Sequence, residues 1–159
     1  RVSAGSIIHY RSPPAMKIAA SFGNAFDVVS DCDVIALPLD SNRNLDEKIF
    51  EQAGEQFTKN FVQVMDRREK KWLPGRQSAI QPMEAGDVLK CQKVMLVYDG
   101  LSGEYSPIER NLVRDTYKRL FDRIKEYDYT KMVISIPSTY RRAHIKEILY
   151  ATYERSARN

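Results

Sequence analysis

The chain has 159 residues, 43% hydrophobic and 29% charged, with a formal net charge of +4 at pH 7. That length suits one domain with a real core, and that composition excludes wholesale disorder. No apolar run approaches the roughly 20 residues that span a bilayer, so no membrane partner is expected.

The sequence opens at Arg1 rather than Met, and Arg1 to Met16 has no apolar stretch of the kind a signal peptide carries. It reads as a piece of a longer intracellular protein, cytoplasmic or nuclear, with a protein partner or the parent chain supplying its context. Cys32 and Cys91 are too few for a disulfide framework, and neither has a second Cys or His at metal-ligand spacing. Both read as reduced, with no metal and no cofactor. The 25 basic residues against 21 acidic suit a polyanionic partner, nucleic acid or nucleotide phosphate, and equally a solvated surface.

Residues 1–15, with Pro13-Pro14, predict an extended N-terminal arm, and residues 16–159 a single domain. Met16 to Phe22 reads as a first strand closed by Gly23-Asn24. Asp33-Val-Ile-Ala-Leu-Pro-Leu-Asp40 is nearly continuous in apolar residues, the pattern of a strand buried on both faces. Pro38 cannot donate to a ladder, so that strand is expected to end near it. One helix follows, with Asn44 as cap and Glu47 as its capping-box partner, and with Ile49, Ala53, Phe57, Phe61 and Val64 on one stripe. It runs out in Arg67-Arg68-Glu-Lys70-Lys71, where basic residues suit the helix dipole.

Two short strands come next, Ser78 to Gln81 and Lys93 to Tyr98, with Ala85-Gly86-Asp87 between them. Ser106-Pro107-Ile108-Glu109 combines a cap, a first-turn proline and a capping-box partner, opening a helix that turns Val113, Tyr117, Leu120, Ile124 and Tyr127 inward. Lys131 to Ile136 is a further buried strand, stopped by Pro137. A last helix, from about Arg141 to Arg155, carries Ile145, Ile148, Leu149 and Thr152 inward. Strands alternating with helices predict an α/β fold, a mixed central sheet in a three-layer α/β/α arrangement.

In order and spacing, Met16 to Glu154 resembles the macro domain, the ADP-ribose-binding module. That family has a strand reading roughly D-A-I-V-N-A-A-N and a helix reading D-G-A-I-H-R-A-A-G. Asp33 to Asp40 resembles the strand, and Asp46-Glu-Lys-Ile-Phe-Glu-Gln-Ala-Gly54 the helix, sharing Asp, Ile, Ala and Gly. Gly75-Arg-Gln-Ser-Ala-Ile80 to Val97 is similar to the family's paired strands. Arg110 to Tyr127 resembles the helix before the last core strand, and Val133 to Pro137 that strand itself. The resemblance implies a macro-like fold with ADP-ribose or a related nucleotide as ligand.

Two departures bear on function. The family's loops hold the diphosphate with backbone N–H groups, and glycine serves there because a Cβ blocks close approach or forbids positive φ. Here the first loop is Ser41-Asn42-Arg43-Asn44-Leu45 and the second Ser138-Thr139-Tyr140-Arg141-Arg142, neither with a glycine. By resemblance Asn24 stands where an Asp contacts adenine, and Asp40 where an Asn contacts the distal ribose and assists hydrolysis.

The candidate ligand-binding residues are therefore Asn24, Asp40, Ser41, Asn42, Pro137, Ser138, Thr139, Tyr140 and Arg141, with Arg43 and Arg142 beside them. Ser138 and Thr139 precede a helix N-terminus, where free N–H groups favour phosphate, and either is also an ordinary N-cap. Arg141 and Arg142 can replace lost N–H groups by direct charge pairing, and Tyr140 can stack on a base or cover the core edge. Asp40 is the only catalytic candidate; it can orient a water, or cap its own turn. Arg67, Arg68, Lys70, Lys71 and Trp72 form a basic cluster beside an aromatic, a nucleic-acid signature that is also an ordinary helix end. His9 and His144 have no triad partner at a recognisable spacing.

Three functions follow as expectations. The first is a non-catalytic module that binds ADP-ribose, a related nucleotide or a modified protein. The second is an RNA- or DNA-binding or scaffolding domain without nucleotide binding, and the third an ADP-ribosyl hydrolase using Asp40.

Overall fold

Six strands form one mixed sheet in the computed structural model, which describes residues 6–11, 19–22, 32–40, 42–69, 79–98, 107–127, 129, 131–136, 145–151 and 154. The strands are β1 (Ser6–Arg11), β2 (Ala19–Phe22), β3 (Val34–Pro38), β4 (Ala79–Glu84), β5 (Lys93–Tyr98) and β6 (Lys131–Ser135). Their order across the sheet is β2-β1-β6-β3-β5-β4. Strands β6, β3 and β5 run parallel, while β4 on one side and β1 and β2 on the other are antiparallel to their neighbours. Among the described residues the helices are α1 (Glu47–Ala53), α2 (Glu55–Glu69), α3 (Pro107–Glu126) and α4 (residues 145–151).

Strand β3 explains why its sequence is apolar without alternation. Ile35 and Leu37 point into a cluster with Ile49, Ala53, Phe57 and Phe61 of α1 and α2. Val34 and Ala36 point the other way, toward Val113, Tyr117, Leu120 and Ile124 of α3 and Ile148 of α4. A parallel strand between two helical layers has no solvent face, so both its side-chain sets are apolar. Ile35, Leu37, Met95 and Leu96 are fully buried, each contributing roughly 1.5–3 kcal/mol relative to exposure. Strand β3 ends at Pro38, as the missing N–H requires, and Pro82 is accommodated because β4 lies at the sheet edge.

Four expectations change. Part of the stretch expected as an arm forms β1, paired antiparallel with β6 from Ile7↔Ser135 to Arg11↔Lys131. The single helix expected after Asp40 is two, broken at Gly54, whose φ of 92° and ψ of 174° leave the helical region. The apolar stripe survives because Ile49, Ala53, Phe57 and Phe61 stay buried across the break. The cap of α1 is Asp46 rather than Asn44: Asp46 Oδ1 accepts the Lys48 N–H at 3.0 Å, while Asn44 Oδ1 accepts from Leu45. Finally, Tyr127 and Leu149, expected inward, are 39% and 37% exposed. Tyr127 follows the end of α3 and stacks on Tyr129, centroids 5.6 Å apart. Thr152 and the Ser106 cap lie outside the described residues.

Helix α4 is held to α3 by charge as well as packing. Arg114 Nε donates to Glu147 Oε2 at 2.7 Å, and its guanidinium lies 3.9 Å from the centroid of the Tyr150 ring. Glu147 is 2% exposed, and a carboxylate that deep needs such a partner. Lys118 pairs with Glu154 further along.

Candidate functional site at the strand exits

Because β6, β3 and β5 are parallel and adjacent, the chain leaves all three at one edge of the sheet. It passes from β3 to α1 and α2 on one face, whereas β5 leads to α3 on the opposite face, where α4 also packs. In open α/β sheets ligands are taken at such a reversal, beside the carboxyl ends of the strands. The two candidate segments follow β3 and β6, neighbours with Ala36↔Ile134 in register. Of the named residues, Asp40, Asn42 and Arg43 fall within the described structure. Asn24, Ser41, Pro137, Ser138, Thr139, Tyr140, Arg141 and Arg142 lie outside it.

The segment after β3 is a tightly closed turn. The Leu39 N–H donates to the Val97 carbonyl at 2.8 Å, fixing the exit of β3 against β5. The Asp40 N–H donates to the Asn44 carbonyl and the Arg43 N–H to the Asp40 carbonyl, each at 2.9 Å. Asp40 Oδ1 accepts the N–H groups of Asn42 and Asn44, and Asn44 Oδ1 that of Leu45, all at 2.9 Å. The main-chain N–H groups of residues 42 to 45 are thus all donated within the turn. A diphosphate arriving here meets side chains, not a row of open amides.

Arg43 shows how the turn manages without glycine. Its φ is +58°, the left-handed region that costs a residue with a Cβ roughly 1–2 kcal/mol. The hydrogen bonds on either side hold it there. Its guanidinium lies over the buried Tyr98 ring, 5.2 Å from the centroid, a cation–π contact. A positive charge is thereby fixed between the exits of β3 and β5. Tyr98, the last residue of β5, carries no sequence signal of this contact, which depends on the turn that brings Arg43 over its ring.

Asp40 is exposed, and its carboxylate shapes the turn through Oδ1. This is the side-chain-capped turn that an Asp favours.

The exposed Arg67 of the expected basic cluster lies at the other end of the sheet, where β5 begins. There a groove of about 500 Å³ is lined by Asn60, Gln63, Arg67, Gln81, Glu84 and Lys93, among others. Lys93 is bonded to Glu84, and that hydrogen bond raises its pKa above the ordinary 10.5 against the opposing effect of burial. Lys70, Lys71 and Trp72 lie outside the described residues. Among the described residues no three His, Cys, Asp or Glu side chains gather as metal ligands, and no helix is long and apolar enough to cross a membrane.

No family model and no curated protein matches the chain.

Proposed function

We propose that this chain is a non-catalytic, macro-like binding module that takes ADP-ribose or a related nucleotide at the carboxyl edge of β6, β3 and β5, through side chains rather than amide loops. The observation that carries this reading is Arg43, a guanidinium held over Tyr98 beside the exit of β3, where the neighbouring amides are already engaged. A guanidinium meets phosphate with charge-assisted, often paired hydrogen bonds. Arg141 and Arg142 come after β6 in the sequence, β6 being the strand next to β3, and carry side chains of the same chemistry. Asp40, engaged in the turn, supports recognition better than hydrolysis.

Calorimetric titration with ADP-ribose, ADP and NAD tests this. Binding is expected, and Arg43→Ala is expected to weaken it about 10-fold or more, the worth of one charge-assisted contact. Absence of heat with all three ligands near 1 mM, where binding free energy is only about −4 kcal/mol, sinks the reading.

The closed turn also favours a second reading, an RNA- or DNA-binding or scaffolding domain that no longer takes a nucleotide. The basic excess and the groove with Arg67 and Lys93 support it. Oligonucleotide binding that weakens steeply with salt is its expected sign, because phosphate contacts release counterions. Absent binding, or binding indifferent to salt, removes it.

A further inference from the structure

At the edge opposite the strand exits, Asp33 ties the start of β3 to both neighbours. Its N–H donates to the Lys131 carbonyl at 2.9 Å, and its own carbonyl accepts from Gln92 at 2.9 Å and from Lys93 at 3.1 Å. Cys32 immediately precedes Asp33, and Cys91 immediately precedes Gln92, so this pairing sets the two cysteines side by side. Both pack against the apolar cluster under α1 and α2, Cys32 within it at 9% exposure and Cys91 at its margin, half-buried. Both are thiols.

The contact between them is polarised. Cys32 and Cys91 share a hydrogen bond, and the amides of Ile35 and Lys93 lie beside Cys91. The bond from Cys32, and then those amides, draw the Cys91 thiol below its ordinary range despite burial. The bond to Cys91, and then burial, push Cys32 the opposite way. Cys91 is therefore the more acidic and the more reachable of the two, and Cys32 is the enclosed thiol beside it. A reactive thiol beside a resolving thiol is the arrangement of redox-sensitive cysteines.

We propose that Cys32 and Cys91 are a reversible oxidation site, with Cys91 as the thiol that reacts first and Cys32 as the thiol that resolves it. The oxidant is a hydroperoxide. The Cys91 thiolate attacks one peroxide oxygen, the O–O bond breaks, and the leaving hydroxide or alkoxide takes a proton; Cys91 becomes a sulfenic acid. Cys32 Sγ then attacks Cys91 Sγ, the S–O bond breaks, and the hydroxyl leaves as water with the proton from Cys32. The protein loses two electrons and two protons, and the hydroperoxide is reduced to its alcohol (or water) with one further water formed. The new bond joins the starts of β3 and β5 and encloses the segment carrying α1, α2 and β4. Shortening the unfolded chain in that way favours the folded state.

The test treats the reduced 159-residue chain with hydrogen peroxide and maps its peptides without reductant. The expected product is a Cys32–Cys91 linked peptide, lost again on adding dithiothreitol, with a melting temperature raised by about 10 °C in the linked protein. In Cys32→Ala, Cys91 is expected to accumulate as a sulfenic acid captured by a 1,3-diketone; in Cys91→Ala, Cys32 is expected to remain a thiol. Wild-type protein that stays unlinked, or goes straight to sulfinic acid at Cys91, overturns the proposal. Links formed only between two molecules also overturn it. The wild-type peptide map decides the matter even if a variant does not fold.

Discussion

Asp40 and Asn44 are bonded to each other twice: the Asp40 N–H donates to the Asn44 carbonyl, and the Asn44 N–H donates to the Asp40 carboxylate, each at 2.9 Å. The pair closes the turn after β3, and with the bonds to Asn42, Arg43 and Leu45 it leaves little main chain to offer a ligand.

Replacing Asp40 by Ala removes the acceptor of two N–H groups in an exposed turn. Water satisfies them in part, so a loss of about 1 kcal/mol is expected in urea denaturation. Hydrogen exchange at Asn42 and Asn44 is expected to accelerate. Asp40→Asn, which keeps one acceptor oxygen, is expected to lose less. Release of ADP-ribose from a modified protein is expected to be the same for Asp40→Ala and the parent; a large drop in the variant shows Asp40 to be catalytic after all.

Gly54 combines a positive φ with a close neighbour. An added Cβ would lie 2.6 Å from Cγ2 of the exposed Val88. Gly54→Ala is expected to lower stability by about 1–3 kcal/mol, read from chemical denaturation. Val88→Ala in that background is expected to recover only part of the loss, because it relieves the contact and not the backbone.

The Arg114–Glu147 pair offers a double-mutant cycle. Arg114→Ala leaves a carboxylate that is 2% exposed without its guanidinium, and an expected cost of about 3 kcal/mol. Because Arg114 itself is 30% exposed, water can moderate that figure. Replacing both residues by Ala is expected to cost less than the sum of Arg114→Ala and Glu147→Ala, by urea denaturation of all members of the cycle.

Alkaline stability follows from two groups whose folded pKa values are raised. Lys93 is raised by its bond to Glu84, and Tyr129 above its ordinary 10.0 by burial. Each group holds its proton to higher pH in the folded state than in the unfolded chain. Their contribution is complete below about pH 10 and is lost as pH rises through the folded values. Urea midpoints measured from about pH 8 to about pH 11.5 are expected to be level and then fall. Glu84→Gln is expected to flatten the Lys93 part of that fall, by under about 1 kcal/mol, since the pair is partly exposed.

The buried parallel strands were legible because nothing interrupts their apolar runs: Lys93 to Tyr98 was placed to the residue, and Pro38 marked the end of β3. The α/β class followed from their alternation with helices. Long-range pairing was less legible. That Ser6–Arg11 joins β6 depends on an open edge beside β6, which local sequence does not describe. The break at Gly54 was hidden because Ile49, Ala53, Phe57 and Phe61 keep a four-residue spacing through it. Asp46 is the cap because the helix begins at Glu47, while the Asn44 side-chain oxygen accepts from Leu45 instead. The Cys32–Cys91 contact could not be read from spacing, since only the pairing of Asp33 with Gln92 brings the two together.

The most direct test of nucleotide recognition at the strand exits is an amide-resolved NMR titration with ADP-ribose up to about 1 mM. Shifts concentrated at Asn42, Arg43, Asn44 and Tyr98, lost in Arg43→Ala and absent at Gln92 and Lys131 on the far edge, are the expected result. An unmoved spectrum, or shifts gathered around Arg67 and Lys93 instead, contradicts it.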